Sequence, residues 1–341
     1  MNAAGIAAIG VAFGLSVCTI AVLAHLAARL PQDAPNQRSM HIRSVPRAGG
    51  YAIWAGFVPA ALWFPPAFPG GQSGWLLPWF IVASVSAIDD FRGVAVGIRL
   101  TAHILASLWA AAWLCMPSLA ETAAASTSMI VAIAPIALLI AWASNLYNFM
   151  DGSDGLCATM TMTGFAAYGV AALPAGDSSI SYFALAAATL PFLVVNRPRA
   201  TMFLGDVGSI PLGFLAATFG IAGVVEGLWP AWFPLLVFLP FIADATTTLA
   251  RRIARREPVS TPHRDHYYQR LNRLGAGHAG TLTLYALLMT GTCATALACL
   301  FAAGAWGLFA LGAWCVVCFI VFAAIDYHWR KSLPDSHDFR L

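Results

Sequence analysis

Four polar side chains recur at a spacing of three where a long apolar segment ends. The four are Asn145, Asn148, Asp151 and Asp154. On an α-helix three of them can share one face, and Gly152 and Gly155 let the backbone break and redirect the fourth. Amides and carboxylates beside a membrane helix are costly to desolvate unless they are paired or bind an ion. We therefore interpret this stretch as a polar binding site, with a loop that caps the next helix as the alternative.

Two more acidic motifs also follow apolar segments. Asp89 and Asp90 are adjacent, and Asp206 stands between two glycines. Adjacent carboxylates repel each other, so both stay ionised only beside a cation or strong hydrogen-bond donors. Mg²⁺ in proteins is usually held by one or two carboxylates together with substrate phosphates. We predict a Mg²⁺ site or a general base at these acids, with a simple helix-ending turn as the alternative.

Basic residues and histidines accompany the acids. Arg99 follows the acidic pair closely enough to meet a phosphate. Arg47 precedes two glycines that open an apolar segment, a pattern that suits either an anion site or attachment to anionic lipid. Further along, His263 and His266 flank Asp265, and histidine is the side chain best suited to chemistry near neutral pH. The alternative for this last segment is a basic loop whose histidines have no chemical role.

Composition places all these residues in a membrane protein. Hydrophobic residues make up 60% of the 341 residues and charged residues only 10%, whereas a soluble domain carries about 25% charge. Apolar runs of membrane-spanning length predict an all-α, polytopic bundle of about eleven transmembrane helices. The predicted spans are 4–26, 48–66, 75–88, 100–117, 129–147, 157–173, 180–195, 208–225, 231–250, 280–303 and 306–328.

The distribution of Lys and Arg predicts the orientation of this bundle. Basic residues collect after the first, third, seventh, ninth and eleventh predicted spans, whereas the charged residues of the loops on the opposite side are only Glu121, Asp177 and Glu226. By the positive-inside rule the basic side is cytoplasmic, with the N-terminus outside and the C-terminus inside. The acidic motifs then all fall at the cytoplasmic face.

Taken in order, these motifs resemble those of the polyprenyl-phosphate N-acetylhexosamine-1-phosphate transferases of glycosyltransferase family 4. The similarity runs over about residues 36–275, and each of its five motifs falls on a predicted cytoplasmic loop. The motifs are Pro46–Gly50, Asp89–Asp90, Asn145–Leu156, Asn196 with Phe203–Ser209, and Asp244 through His266. Residues 1–341 are expected to form a single integral-membrane transferase domain.

The resemblance implies roles for individual residues. Asp206 resembles the family's Mg²⁺ ligand, and Asp89 and Asp90 resemble its acidic pair, which helps to hold the metal or deprotonates the lipid phosphate. Asp154 and Asn196 resemble residues close to the nucleoside. The expected catalytic residues are Asp89, Asp90, Asp206, His263, Asp265 and His266. The residues expected to bind substrates are Arg47, Arg99, Asn148, Asp151, Asp154, Asn196, Asp244 and Arg264.

The implied reaction transfers HexNAc-1-phosphate from a UDP-N-acetylhexosamine to undecaprenyl phosphate in the bacterial inner membrane, with release of UMP. Mg²⁺ is the implied cofactor, for which Mn²⁺ could substitute. The implied partners are the two substrates and membrane lipid, with a homodimer as an open question and no nucleic acid. Direct attack by the lipid phosphate and a covalent aspartyl-phosphate route through Asp89 or Asp90 both remain open.

Two alternatives stand beside this interpretation. The last loop reads His-Arg-Asp-His-Tyr-Tyr and lacks the three consecutive histidines of the phospho-MurNAc-pentapeptide translocase of peptidoglycan synthesis. This departure favours the branch that begins O-antigen or related glycans over the translocase. The alternative from another class is an ion-coupled transporter, whose carboxylates would lie in the middle of the spans.

Overall fold

The computed structural model describes residues 1–33, 44–119, 125–258, 264–302 and 306–332, with the backbone alone for 116–119 and 125–130. Within these ranges the chain forms thirteen α-helices and one antiparallel pair of short strands, β1 (Gln32–Asp33) and β2 (Val45–Pro46). The helices are α1 (Ala3–His25), α2 (Gly49–Trp63), α3 (Gln72–Arg92), α4 (Val96–Leu119), α5 (Ala125–Met150), α6 (Leu156–Ala171), α7 (Ser178–Asn196), α8 (Asp206–Val225), α9 (Trp232–Val237), α10 (Leu239–Ala254), α11 (Tyr267–Leu271), α12 (Gly277–Phe301) and α13 (Trp306–Ser332).

The helices confirm an all-α, multi-pass membrane fold. Eight of the described helical segments are long and apolar enough to cross a membrane. One of them is α3, which is longer than the predicted span 75–88. In contrast, α2 has 15 residues and α6 has 16. The ninth predicted span, 231–250, is divided between α9 and α10. The count of eleven transmembrane helices and the orientation of the termini therefore stay predictions.

The ninth span is interrupted at Phe238. This residue ends α9 and precedes α10, and Pro240 follows in the first turn of α10. Proline has no N–H to donate to the preceding turn, so a helix can begin there more readily than it can pass through. The apolar run is therefore two helices, and the second one carries Asp244.

Glycines end or begin three helices next to the acidic motifs. Gly93 ends α3 with φ +67°, Gly155 precedes α6 with φ +77°, and Gly205 precedes α8 with φ +76°. Positive φ is easily adopted only by glycine. Each acidic motif thus lies where the chain turns sharply at a helix end.

Burial separates central helices from peripheral ones. In the 18-residue apolar stretch of α8, 83% is buried inside the protein, whereas in the corresponding stretches of α1 and α13 only 22% is buried. Large apolar side chains on α13, such as Leu308 and Phe309, are exposed. In a membrane protein such surfaces face lipid, so α8 lies in the centre and its N-terminal end holds Asp206 within the bundle.

Candidate active site

The acidic pair and Asp206 meet at one end of the bundle. Arg99, on α4, forms ion pairs with Asp89 at the end of α3 and with Asp206 at the start of α8. The distance from Arg99 Nη1 to Asp206 Oδ2 is 3.3 Å. The Asp89 carboxylate also accepts the N–H of Val94 at 2.6 Å, which fixes the turn between α3 and α4. Three helices thus bring two carboxylates and one guanidinium group into contact.

Asp90 has a different position from its neighbour Asp89. Its carboxylate accepts the backbone N–H of Asp206 at 3.2 Å and that of Val207 at 2.9 Å. These are the first two N–H groups of α8, which have no partner within the helix. Asp90 therefore caps α8 from another helix and positions the Asp206 carboxylate. Its predicted part in metal binding stays a prediction.

The asparagine–aspartate motif approaches the same end of α8. Asn148, on α5, accepts a hydrogen bond from the hydroxyl of Ser209 at 2.9 Å. Asp151 follows the end of α5 and is half-buried. Burial raises the pKa of the Asp151 carboxyl well above its ordinary value, and the Asp206 carboxylate raises it further. Asp151 therefore adds another acidic group to the centre formed by Asp89, Arg99 and Asp206.

The first loop packs against the chain just before Asp206. Arg47 is bridged to Phe203, and the N–H groups of Ala48 and Gly49 donate to the Phe203 carbonyl at 3.1 and 2.9 Å. The guanidinium group of Arg47 pairs with Asp33 of β1. The first loop and the Gly-Asp-Val-Gly turn are thereby fixed to each other, and Arg47 lies at the edge of the acidic centre.

Asp154 and Asn196 brace the turn that follows Asp151. Asn196 is buried, accepts the N–H of Gly155 at 2.9 Å and donates to the Met202 carbonyl at 2.9 Å. Asp154 accepts the N–H groups of Arg199 and Ala200 at 3.0 and 3.2 Å. These bonds hold two motifs together, so both residues shape the site through backbone contacts.

Asp244 lies in the protein interior, among hydrogen-bond donors from neighbouring helices. It has no exposed surface. Its carboxylate accepts the N–H groups of Tyr267 and Tyr268 at 3.0 Å each, and it also bonds Tyr285, Thr248 and His266 Nδ1. A carboxylate that is buried and satisfied in this way cannot touch a substrate in this conformation. In this structure Asp244 holds α11 in place, and the substrate contact expected from the sequence stays a prediction.

The short helix α11 brings the last loop to the site. The Tyr268 hydroxyl donates to the Phe149 carbonyl at 2.9 Å, and the rings of His266 and Phe149 are 6.0 Å apart. His266 therefore lies beside the end of α5, just before Asp151. The predicted catalytic role of His266 stays a prediction.

Asp265, in the same loop, contacts the end of α10. Asp265 pairs with Arg252, a buried arginine near the end of α10 that also contacts Glu257 at 2.9 Å. Arg264 is half-buried. His263 lies outside the described residues, so its predicted role stays a prediction. The bonds of Asp265 connect the two ends of its own loop.

The donor set at the acidic centre fits a divalent cation. Asp89, Asp90 and Asp151 each interact electrostatically with Asp206, and the nearby cations are Arg47 and Arg99. In the part of the chain that the structure describes, no three His, Cys, Asp or Glu side chains form a ready metal site. Mg²⁺ does not need one, because it commonly uses one or two carboxylates plus substrate phosphates and water. Asp206 and Asp89, whose carboxylates contact each other, are the residues placed to hold it.

An apolar groove lies beside α5. It has a volume of about 340 Å³ and lies between α5, α8, α9 and α10, with Leu139, Trp142 and Leu146 on its α5 wall. At helical spacing the next residue on that face is Phe149, which contacts His266 and precedes Asp151. The groove's lining on α5 ends at Tyr147, four residues before Asp151.

Comparison with known proteins gives a family similarity. A sequence profile of glycosyl transferase family 4 matches residues 73–224, which include the acidic pair, the asparagine–aspartate motif and Asp206. Over these residues the chain is similar to glycosyl transferase family 4. The resemblance seen in the motifs is therefore confirmed.

Several relatives in this family are similar over most of their length. A Bacillus subtilis protein named "Probable undecaprenyl-phosphate N-acetylglucosaminyl 1-phosphate transferase" is 26% identical over 79% of this chain and 78% of its own. The undecaprenyl-phosphate alpha-N-acetylglucosaminyl 1-phosphate transferase of Yersinia pestis is 27% identical over 71% of this chain and 70% of its own. The decaprenyl-phosphate N-acetylglucosaminephosphotransferase of Mycobacterium leprae is 25% identical over 76% and 74%.

Two site residues were missed in the sequence. His278, in the first turn of α12, accepts the N–H of Asp154 at 3.1 Å and lies 3.3 Å from the Ser153 hydroxyl. Ser209 was part of a motif but was given no role. An ionisable side chain at the start of an apolar helix is uncommon, and that signal could have singled out His278. Nothing in the spacing predicts the partner of Ser209.

Proposed function

We propose that this protein transfers HexNAc-1-phosphate from a UDP-N-acetylhexosamine to undecaprenyl phosphate. UMP is the second product, and the reaction takes place at the cytoplasmic face of the bacterial inner membrane. The product lipid would begin an O-antigen or a related cell-envelope glycan. The proposal requires a site that gathers two phosphorylated substrates and accepts a polyprenyl chain.

One observation carries this proposal: Asp89, Arg99 and Asp206 meet at one end of the bundle, where Asp90 caps the start of α8. The groove is almost entirely apolar, which suits an isoprenoid chain. The acids of the centre, with Arg47 and Arg99, suit phosphates and a divalent cation. A lipid phosphate has one part for each, an isoprenoid chain for the apolar groove and a phosphate for the acidic centre.

The proposed step exchanges one phosphoanhydride for another. A P–O bond forms between an oxygen of the lipid phosphate and the β-phosphorus of the UDP-sugar. The bond from that phosphorus to the oxygen bridging the α-phosphorus breaks, and UMP leaves with that oxygen. Arg99 and Arg47 are placed to contact phosphate oxygens, and Asp206 with Asp89 would hold Mg²⁺. When bound, Mg²⁺ would neutralise diphosphate charge and polarise the phosphoryl group.

The bonds of the acidic pair favour direct attack over a covalent enzyme intermediate. Asp90 already accepts two backbone N–H groups of α8. Asp89 accepts the N–H of Val94 and pairs with Arg99. A carboxylate that accepts several hydrogen bonds is a weaker nucleophile, because attack would require it to give them up. The lipid phosphate needs no such release.

The positions of the acids disfavour an ion-coupled transporter. Asp89 lies in the last turn of α3 and Asp206 is the first residue of α8. A transport pathway would place its carboxylates near the middle of the membrane. Asp244 lies within a predicted span, but its carboxylate is fully occupied by α11 and neighbouring hydroxyl groups.

The decisive first experiment defines the substrates. Purified protein is incubated with Mg²⁺, undecaprenyl phosphate and each of several UDP-N-acetylhexosamines. The masses of the lipid products are then measured by mass spectrometry. We expect a lipid heavier by one HexNAc-phosphate with at least one donor, and no product from the Asp206→Asn variant. If no donor gives this product with protein that is folded and monodisperse, the proposed function is wrong.

A further inference from the structure

A second cavity lies on the other side of α11, away from the acidic centre. It has a volume of about 890 Å³ and is enclosed by α10, α11 and α13. Its cationic residues are Arg251, Arg330 and Lys331, and its apolar wall includes Phe319 and Phe322. None of these residues takes part in the reaction proposed above. We propose that this cavity binds an anionic phospholipid of the surrounding membrane.

The charges of the cavity favour an anion. Asp326 is buried and is already shared by Arg251 at 2.6 Å, Arg270 at 2.8 Å and the Tyr267 hydroxyl at 3.2 Å. In the described part of the chain, no carboxylate lies within ion-pair distance of Arg330 or Lys331. Asp326 is therefore one carboxylate beside four cationic side chains, namely Arg251, Arg270, Arg330 and Lys331. A lipid phosphate would supply the missing negative charge through charge-assisted hydrogen bonds.

The aromatic residues give the cavity a fixed shape. The Tyr267 ring stacks on Phe322 with 4.0 Å between centroids, and the Arg251 guanidinium lies 5.1 Å from the Tyr267 centroid. Lys331 Nζ lies 4.4 Å from the centroid of Tyr327. Cations held over aromatic rings keep a defined position. The cavity is therefore a built pocket rather than a scatter of basic residues.

The apolar wall distinguishes a lipid from a soluble phosphate. Phe319 is 69% exposed and belongs to the lipid-facing surface of α13. Arg330 follows Phe319 by eleven positions in α13, which corresponds to about 16 Å along a helix. A phospholipid whose head contacts Arg330 can cover Phe319 with its acyl chains, whereas inorganic phosphate cannot. Basic pockets between membrane helices on the cytoplasmic side are known to bind acidic lipid heads.

The test measures lipid retention by the full-length protein. Wild-type protein is reconstituted with phosphatidylcholine and phosphatidylglycerol, extracted in mild detergent, and examined by native mass spectrometry. We expect about one retained phosphatidylglycerol per chain, and an apparent affinity at least about tenfold weaker in the double variant R330Q/K331Q. The matched control is R29Q/R255Q, which removes two exposed cytoplasmic-side charges outside the cavity. We expect this control to retain lipid within about twofold of the wild type.

Two further arms separate the sources of the phosphate. Phe319→Ala should weaken phosphatidylglycerol retention if acyl chains cover that side chain. Inorganic phosphate in excess should not displace the lipid. Displacement by inorganic phosphate would overturn the lipid assignment in favour of a soluble-phosphate site. An equal loss in R29Q/R255Q, or no preference of the wild type for phosphatidylglycerol over phosphatidylcholine, would overturn the proposal altogether.

Discussion

At the scale of single residues, aspartates with similar motif context have different physical roles. Asp206 is half-buried and meets Arg99 at the candidate site. Asp90 caps α8 through two backbone N–H groups. Asp244 is buried and holds α11. The sequence predicted that most of these acids lie at one face of the membrane. Their spacing could not distinguish a chemical role from a structural one. The hydrogen bonds of Asp90 to α8 and of Asp244 to α11 join residues that are far apart in the chain.

The first prediction separates Asp206 from Asp90. Asp206→Asn should leave a folded protein whose transfer rate falls by at least about 10²-fold, because a preorganised charge is lost. Asp90→Asn places an amide N–H opposite a backbone N–H of α8, which should lower the free energy of unfolding by about 1–3 kcal/mol. Thermal unfolding in detergent without Mg²⁺ checks the second effect. Equal melting temperatures for the two variants would contradict the capping role of Asp90.

A second prediction concerns Asp244. If it held a substrate, Asp244→Asn would raise KM and leave stability unchanged. In the structure it accepts hydrogen bonds from two backbone N–H groups and three side chains, and each hydrogen bond to a charged group contributes about 1.5–3 kcal/mol. We therefore expect a marked fall in melting temperature, with faster proteolysis near α11 measured by limited digestion. A variant of normal stability with a higher KM would restore the substrate contact.

At the scale of elements, the site depends on a close approach between α2 and α8. A Cβ added to Gly50 would lie 2.6 Å from the Gly208 Cα atom. The indole N–H of Trp54 donates to the Val207 carbonyl at 2.8 Å next to this contact. The glycines of the first loop were interpreted as part of an anion site or a lipid contact. In the structure, Gly50 is required because no side chain fits between α2 and Gly208. The backbone of α2 must touch the turn that carries Asp206.

A third prediction follows from that contact. Gly50→Ala should force α2 and α8 apart, which costs about 1–3 kcal/mol of folding free energy as overpacking does, and should reduce transfer by displacing Asp206. Gly14→Ala in α1 is the matched control, because a Cβ there meets nothing within 4 Å. Melting temperature and transfer rate are measured for both variants. A loss of the same size in Gly14→Ala would show that the effect comes from glycine replacement in general.

The elements also show where sequence-based prediction stops. The apolar run 231–250 gave one span, yet Pro240 near the start of α10 was a local signal for the break that the structure contains. In contrast, α11 is only five residues long and is held by Asp244 of α10 and Asp326 of α13. No local pattern predicts such an element, because its stability comes from contacts that are distant in sequence.

At the scale of the whole molecule, the account depends on which side of the membrane holds the acids. UDP-sugars are cytosolic, and the positive-inside rule places the acidic centre on that side. The fourth prediction tests this with single cysteines in a background without the native ones. Cysteines at Arg92 and Arg255 should resist impermeant thiol reagents in intact cells, whereas those at Ser73 and Ala175 should react. Labelling of Arg92→Cys from outside would place the acids away from their proposed substrate.

In the proposed reaction, the β-phosphorus of the nucleotide sugar is the atom attacked. The most direct measurement identifies the nucleotide that is released when protein, Mg²⁺, undecaprenyl phosphate and the accepted UDP-N-acetylhexosamine are combined. Attack at phosphorus leaves the sugar's phosphate on the lipid, so UMP must appear in step with the lipid product and only when the lipid phosphate is present. Because one phosphoanhydride replaces another, labelled UMP should also exchange into the UDP-sugar when the lipid product is supplied. Release of UDP would show attack at the sugar carbon instead and would contradict the account.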